Sequence, residues 1–110
     1  MQAKLLPAAF LDRLTDVLKA MGHTYRLRIL ELLDLRGPAP AHDVLATLGG
    51  AQGALSQHLA RLRRTGVIQA ERRGKEVWYT LAAPTAEAIL NFMRERMPQG
   101  AKPPRSNRRS

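Results

Sequence analysis

Residues 48–81 read LGGAQGALSQHLARLRRTGVIQAERRGKEVWYTL, and the architecture follows from how this stretch divides. Leu55, Leu59 and Leu62 recur at i, i+4 and i+7, which places them on one side of a helix over 52–65. The same spacing turns Gln52, Gly53, Ser56, Gln57 and Arg61 outward, with Arg63 and Arg64 near the end and Gly66 as a left-handed stop. From Val67 to Leu81 the chain changes to strand formers, Val67, Ile68, Val77, Trp78, Tyr79 and Thr80, interrupted by Arg72-Arg73-Gly74-Lys75. Gly74 allows a tight turn there, so the segment is expected to be a β-hairpin with a basic tip. Val77, Tyr79 and Leu81 share one face of the second strand and are expected to pack inward. A hairpin alone is marginal, so this one must lie on the helices.

Working outward, AHDVLATL at 41–48 is a short helix held by Val44, Leu45 and Leu48, and Gly49-Gly50 joins it to the helix at 52–65. Two short helices with a glycine turn form a helix-turn-helix, and a basic ribbon directly behind it adds a wing. Upstream, residues 24–36 carry Leu27, Ile29, Leu30 and Leu33 as an apolar stripe, with Arg26, Arg28, Glu31 and Asp34 around it. Gly37-Pro38 stops that helix, and Pro38 and Pro40 make a rigid connection. The first helix spans 7–21, with Phe10, Leu11, Leu14, Val17, Leu18 and Met21 opposite Asp12, Arg13, Asp16 and Lys19. Pro84 opens the last, with Ala88, Ile89, Phe92, Met93 and Met97 apolar and Glu87, Arg94, Glu95 and Arg96 solvated. The expected class is mainly α with a β-hairpin, in the order ααααββα. One winged helix-turn-helix domain covers 1–97, and a disordered basic tail covers 98–110.

Charge and composition narrow the function. The 110 residues carry a net charge of +9, which points to a polyanionic partner. Lys102, Arg105, Arg108 and Arg109 put four of those charges on the tail and leave five on the folded part. With no cysteine, disulfides, thiolate metal sites and cysteine redox switches are excluded. Pro7 and Asp12 cut short the N-terminal apolar run, so neither a signal peptide nor a membrane span is expected, and the location is expected to be cytoplasmic. No nucleophile–His–acid set, phosphate-binding glycine loop or pair of carboxylates in an apolar setting is present, so the chain is not expected to be an enzyme or to need a cofactor. Burial is incomplete in so small a domain, and dimerisation would add to it.

RLRILELL at 26–33, LGGAQGALSQHLARLRRTGVI at 48–68 and RRGKEVWYTL at 72–81 together resemble the arsenic-repressor (ArsR) family of bacterial winged-helix transcriptional regulators. The likeness runs over roughly 12–82. It implies a homodimer through the first and last helices, with Phe10, Leu14, Val17, Met21, Ile89, Phe92 and Met93 as interface candidates. It also implies that the helix at 52–64 enters the major groove of double-stranded DNA, and that an unidentified small-molecule or metal effector changes operator affinity. The chain departs from the family in the turn, where a Leu and then a Ser or Thr usually precede the recognition helix and Gly50 and Ala51 stand here. Ala51 cannot accept the capping hydrogen bond, a loss of about 1 kcal/mol.

On this reading Gln52, Ser56 and Gln57 are the base-reading residues, because glutamine can bond adenine N6 and N7 together, and Gly53 lets the helix approach closely. His58, Arg61, Arg64, Arg72, Arg73 and Lys75 are the backbone-holding set, with Trp78 as core or hairpin support. Residues 52–80 hold six cations and two acids, so binding is expected to weaken steeply with salt. Metal-sensing relatives carry ligand sets that align here with Pro40 and His42, and with Ala83, Thr85, Arg96 and Gln99. Only His42, with Asp43 beside it, is a weak candidate, and no metal is expected. The leading reading is a dimeric repressor on a pseudo-palindromic operator. A non-metal-sensing or nucleoid-like DNA-binding protein and a winged-helix module for protein or RNA are the alternatives.

Overall fold

The computed structural model describes residues 4–97, so the tail expected at 98–110 lies outside the described residues. Five helices and three strands follow one another as α1 (Ala8–Met21), α2 (Thr24–Arg36), β1 (Ala39–Pro40), α3 (Ala41–Leu48), α4 (Gln52–Arg64), β2 (Ile68–Arg73), β3 (Glu76–Leu81) and α5 (Pro84–Arg96). The winged helix-turn-helix is present, with one strand more than the expected order. The proline link pairs antiparallel with the wing, Ala39 opposite Tyr79 and Pro40 opposite Trp78, so the sheet runs β1-β3-β2. Proline lacks an N–H and suits an edge strand, and two residues are too few to show strand alternation.

The core forms where α2, α3, α4 and the root of the wing converge. Ile29 and Leu30 of α2, Val44 of α3, Leu55 and Leu62 of α4 and Ile68 of β2 are fully buried there. Tyr79 and Leu81 of β3 pack against this cluster, as their shared strand face predicts, whereas Val77, nearer the wing tip, is half-buried and lies outside it. The wing turns at Gly74-Lys75, between the paired Arg73 and Glu76. Gly74 has φ +63° and no described non-glycine residue has a positive φ, the pattern of a type II′ turn that needs glycine at its first central position.

Several packing expectations require correction. In α2 the buried stripe is Arg26, Ile29, Leu30 and Leu33, whereas Leu27 is 40% exposed. In α1 Val17 and Met21 lie with Ala20 in the core of their own protomer, so they present no surface to a partner. Phe10, Leu11 and Leu18 on the other flank of α1 are exposed, and Leu14 is half-buried. In α5 Ala86 is buried, Ile89 and Leu90 pack on the core, and Phe92, Met93 and Met97 remain exposed. Arg94 is not simply solvated: its Nη1 donates to Asp34 Oδ2 at 2.7 Å and fastens α5 to α2.

The turn between α3 and α4 adapts to its unusual sequence. Gly50 has φ +95°, and the Tyr25 ring lies 3.5 Å from where a Cβ would stand, so an aromatic from α2 covers a position without a side chain. The Tyr25 hydroxyl donates to the Gly49 carbonyl at 2.7 Å and fixes the turn. Ala51 occupies the N-cap of α4 in extended conformation and makes no side-chain cap bond. Because that backbone already suits a capping hydroxyl, Ala51→Ser is expected to stabilise the protein by about 1 kcal/mol. A thermal midpoint that stays put or falls in the variant contradicts this account of the helix start.

Candidate nucleic-acid interface

The leucines that anchor α4 dictate what it shows to solvent. With Leu55, Leu59 and Leu62 buried, Gln52, Gly53, Ser56, Gln57, Arg61 and Arg64 are all exposed, Gln52 as the first residue of the helix and the others by their spacing. At about 100° per residue, Gly53, Gln57 and Arg64 lie opposite the leucines, with Ser56 on one flank and Arg61 on the other. Gln52 is turned furthest to the side and lines a hollow with Pro40, His42 and Glu76 at the junction with α3 and the wing. The helix contains no acid, and none of its arginines makes an ion pair among the described residues. Its outward face is therefore a polar strip bordered by unneutralised guanidinium groups.

The wing continues this surface. Arg72, Arg73 and Lys75 are exposed at its tip. Arg73 is the ordered one, with Nη2 3.1 Å from Glu71 Oε1 and its guanidinium 4.7 Å from the centre of the Trp78 ring. Trp78, half-buried in β3, thus serves as a platform on the hairpin, in keeping with a supporting role. Arg72 and Lys75 have no ion pair among the described residues.

His58 departs from the expected arrangement. It is half-buried and faces the start of α2, with Nδ1 3.2 Å from Arg26 Nη1 and ring centroids 4.6 Å from His23 and 5.3 Å from Tyr25. Burial, then the His23 and Arg26 charges, hold its imidazole below the ordinary pKa. On α4 it sits about 60° from the centre of the leucine stripe, too far inward to project straight from the helix. Its partner Arg26 lies on the buried side of α2, although charged residues are ordinarily assigned to the outside. The signal was present: 26, 29, 30 and 33 stand at i, i+3, i+4 and i+7, the spacing of one buried helix face.

His42 binds within the protein. Its Nδ1 is 3.0 Å from Asp43 Oδ1, and its Nε2 is hydrogen-bonded to Glu76, which links α3 to the wing. Among the described residues no group of three or more His, Cys, Asp or Glu is placed to hold a metal ion. No described helix is long and apolar enough to cross a membrane.

A family model for the bacterial regulatory protein, arsR family, matches residues 24–70, from the start of α2 into the wing. The transcriptional activator HlyU of Vibrio cholerae is 36% identical over 77 residues, covering 70% of each chain. The chain belongs to the ArsR family. It shares with HlyU a fold that superposes with a TM-score of 0.74 at 31% identity, over 81% of this chain and 96% of HlyU. The transcriptional repressor PagR of Bacillus anthracis is 30% identical over 71% of this chain and 78% of its own length, and its crystal structure matches with a TM-score of 0.75. A homodimeric winged helix-turn-helix DNA-binding domain from Mycobacterium bovis matches with a TM-score of 0.72 at 26% identity, over 86% of this chain and 88% of that one. As an ArsR-family protein the chain is a DNA-binding transcriptional regulator and not an enzyme.

Proposed function

We propose that this ArsR-family regulator is a homodimeric, sequence-specific repressor that places α4 of each protomer in successive major grooves of a pseudo-palindromic operator. The observation that carries the reading is the acid-free outer face of α4 beside a basic wing. Gln52, Gly53, Ser56 and Gln57 meet base edges, while Arg61, Arg64, Arg72, Arg73 and Lys75 hold the phosphate backbone. His58 acts on the backbone only through the pocket that it shares with Arg26. Dimerisation uses the flanks of α1 and α5 left open in the protomer. Phe10, Leu14, Ile89, Phe92 and Met93 belong to it, with Leu11 and Leu18 in place of Val17 and Met21. The homodimeric relative from Mycobacterium bovis supports this assembly, and family membership supports an effector that alters operator affinity. A DNA partner implies the cytoplasm. The domain at 1–97 carries all these roles, and the basic tail adds nonspecific attraction to DNA.

The test is a titration of duplex carrying the DNA immediately upstream of the protein's own gene, against a scrambled duplex of equal length, at two salt concentrations. A specific regulator is expected to prefer the first by a factor on the order of 10³ or more. A ratio near one identifies a nonspecific, nucleoid-like binder and overturns the repressor reading.

A further inference from the structure

We propose that the cavity between the start of α2 and the flank of α4 is a seat for one phosphate-type oxyanion, and that His58 takes up a proton when the seat is filled. The proposal deepens the DNA-binding reading and rests on it for one point, that the oxyanion is a phosphate of the DNA backbone.

The cavity measures about 420 Å³ and is lined by Arg26, Gln57, His58, Arg61 and Arg64 with two alanines. Three arginines and a histidine thus face a single space with no carboxylate in its wall. Arg26 is the unusual member, since only 9% of it is exposed. Its Nε donates to the Ala20 carbonyl at 2.5 Å and its Nη1 lies 3.2 Å from His58 Nδ1. Both partners are neutral, and no carboxylate pairs with Arg26 among the described residues, so a largely sheltered guanidinium on the cavity wall has no countercharge there. Arg94, by comparison, pairs with Asp34 through Nη1, while its Nη2 is buried without a partner among the described residues. Burial and then the charge of Arg61 lower the Arg26 pKa. Guanidinium forks match the planar edges of a phosphate, and the volume admits one together with water.

The hydrogen bond fixes the resting state of His58. Arginine can only donate, so Nδ1 is the acceptor and the imidazole is neutral with its proton on Nε2. The groups facing this ring are His23 at the N-cap of α2, Tyr25 and Arg26 from α2, and Arg61 and Arg64 from α4 itself, all cationic or neutral. An oxyanion brings the missing negative charge and reverses the balance. His58 then takes one proton from solvent onto Nδ1, and Arg26 Nη1 is released to donate to the oxyanion. Two signs follow. Without DNA the folded state holds His58 below its unfolded value of 6.5, so the stability it contributes is present above that pH and is lost as pH falls through the depressed value. With DNA the bound state carries the extra proton, so affinity strengthens over the same descent.

The experiment measures binding of a fluorescent duplex at constant salt, from about pH 8 to about pH 6, for the wild type, His58→Gln and Arg61→Gln. Thermal midpoints confirm that each variant is folded; Arg61 is exposed, and glutamine at 58 still offers Arg26 an acceptor. Wild type is expected to bind about three- to tenfold tighter at the acid end per seat, since one pKa unit corresponds to tenfold. His58→Gln is expected to flatten this response, and Arg61→Gln to weaken binding throughout and reduce the pH dependence. In a parallel arm, imidazole NMR shifts follow the His58 pKa with inorganic phosphate or with duplex. A rise with both marks a general oxyanion seat, and a rise with duplex alone identifies the DNA backbone as the source. A pH response equal in wild type and His58→Gln overturns the proposal even when DNA binds well. If no duplex binds at any pH, the DNA reading fails, and the seat survives only if inorganic phosphate still raises the His58 pKa.

Discussion

Replacing Leu62 by alanine is expected to cost about 2–5 kcal/mol of unfolding free energy, a large share of the roughly 5–15 kcal/mol available to a domain of this kind. Leu62 is fully buried on the inner side of α4, in line with Leu55 and Leu59. Its carbonyl also accepts the Val67 N–H at 3.0 Å, where the chain leaves α4 for the wing. Loss of its side chain therefore opens a cavity in the core cluster that α4 shares with the root of the wing. A thermal midpoint lower by at least about 8 °C is expected, or no cooperative transition at all. Leu35→Ala is the control: Leu35 is 67% exposed, and its truncation is expected to stay within about 0.5 kcal/mol. A cost below about 1 kcal/mol at Leu62 would contradict the packing described for α4.

The second large effect concerns binding. Arg61→Gln with Arg64→Gln leaves the buried face of α4 untouched, because both arginines are exposed and outside any ion pair among the described residues. The double variant is expected to fold as the wild type and to lose duplex affinity on the order of a hundredfold or more near 0.1 M salt. Its mark is the salt dependence: each lost phosphate contact removes roughly 0.9 from the slope, and a dimer loses two in each protomer. On the proposed role of these side chains as phosphate holders, the loss is expected to be alike on operator and scrambled DNA. An unchanged slope would place the phosphate contacts elsewhere on the molecule.

The fold of α4 and the wing is legible in the sequence because its signals are redundant. Leu55, Leu59 and Leu62 fix the inner side of α4, and the outer side follows by geometry. Gly74 fixes the wing turn, and the alternation of Tyr79 and Leu81 fixes the inner face at its root. Other features carry no comparable local signal. Strand β1 has two residues, and its pairing with Tyr79 and Trp78 depends on chain about 40 positions downstream. In α1 an apolar arc from Phe10 to Met21 is too wide to say which flank meets the protomer's own core, and packing against α2, α4 and α5 turns Val17 and Met21 inward. Arg26 is a conflict between composition and spacing. Its charge argues for solvent and its position for the core, and the core wins because Ala20 and His58 supply acceptors that exist only once α1, α2 and α4 are assembled.

The central claim is that the outer face of α4 and the wing tip form the DNA surface, while the open flanks of α1 and α5 do not. The most direct measurement is the change in backbone amide NMR shifts of the folded protein on addition of its upstream duplex. The largest changes are expected at Gly53, Ser56, Gln57 and Arg61 and at Arg72–Lys75, with Phe10, Leu18, Phe92 and Met93 unmoved. Changes concentrated on α1 and α5, with α4 and the wing silent, would contradict it.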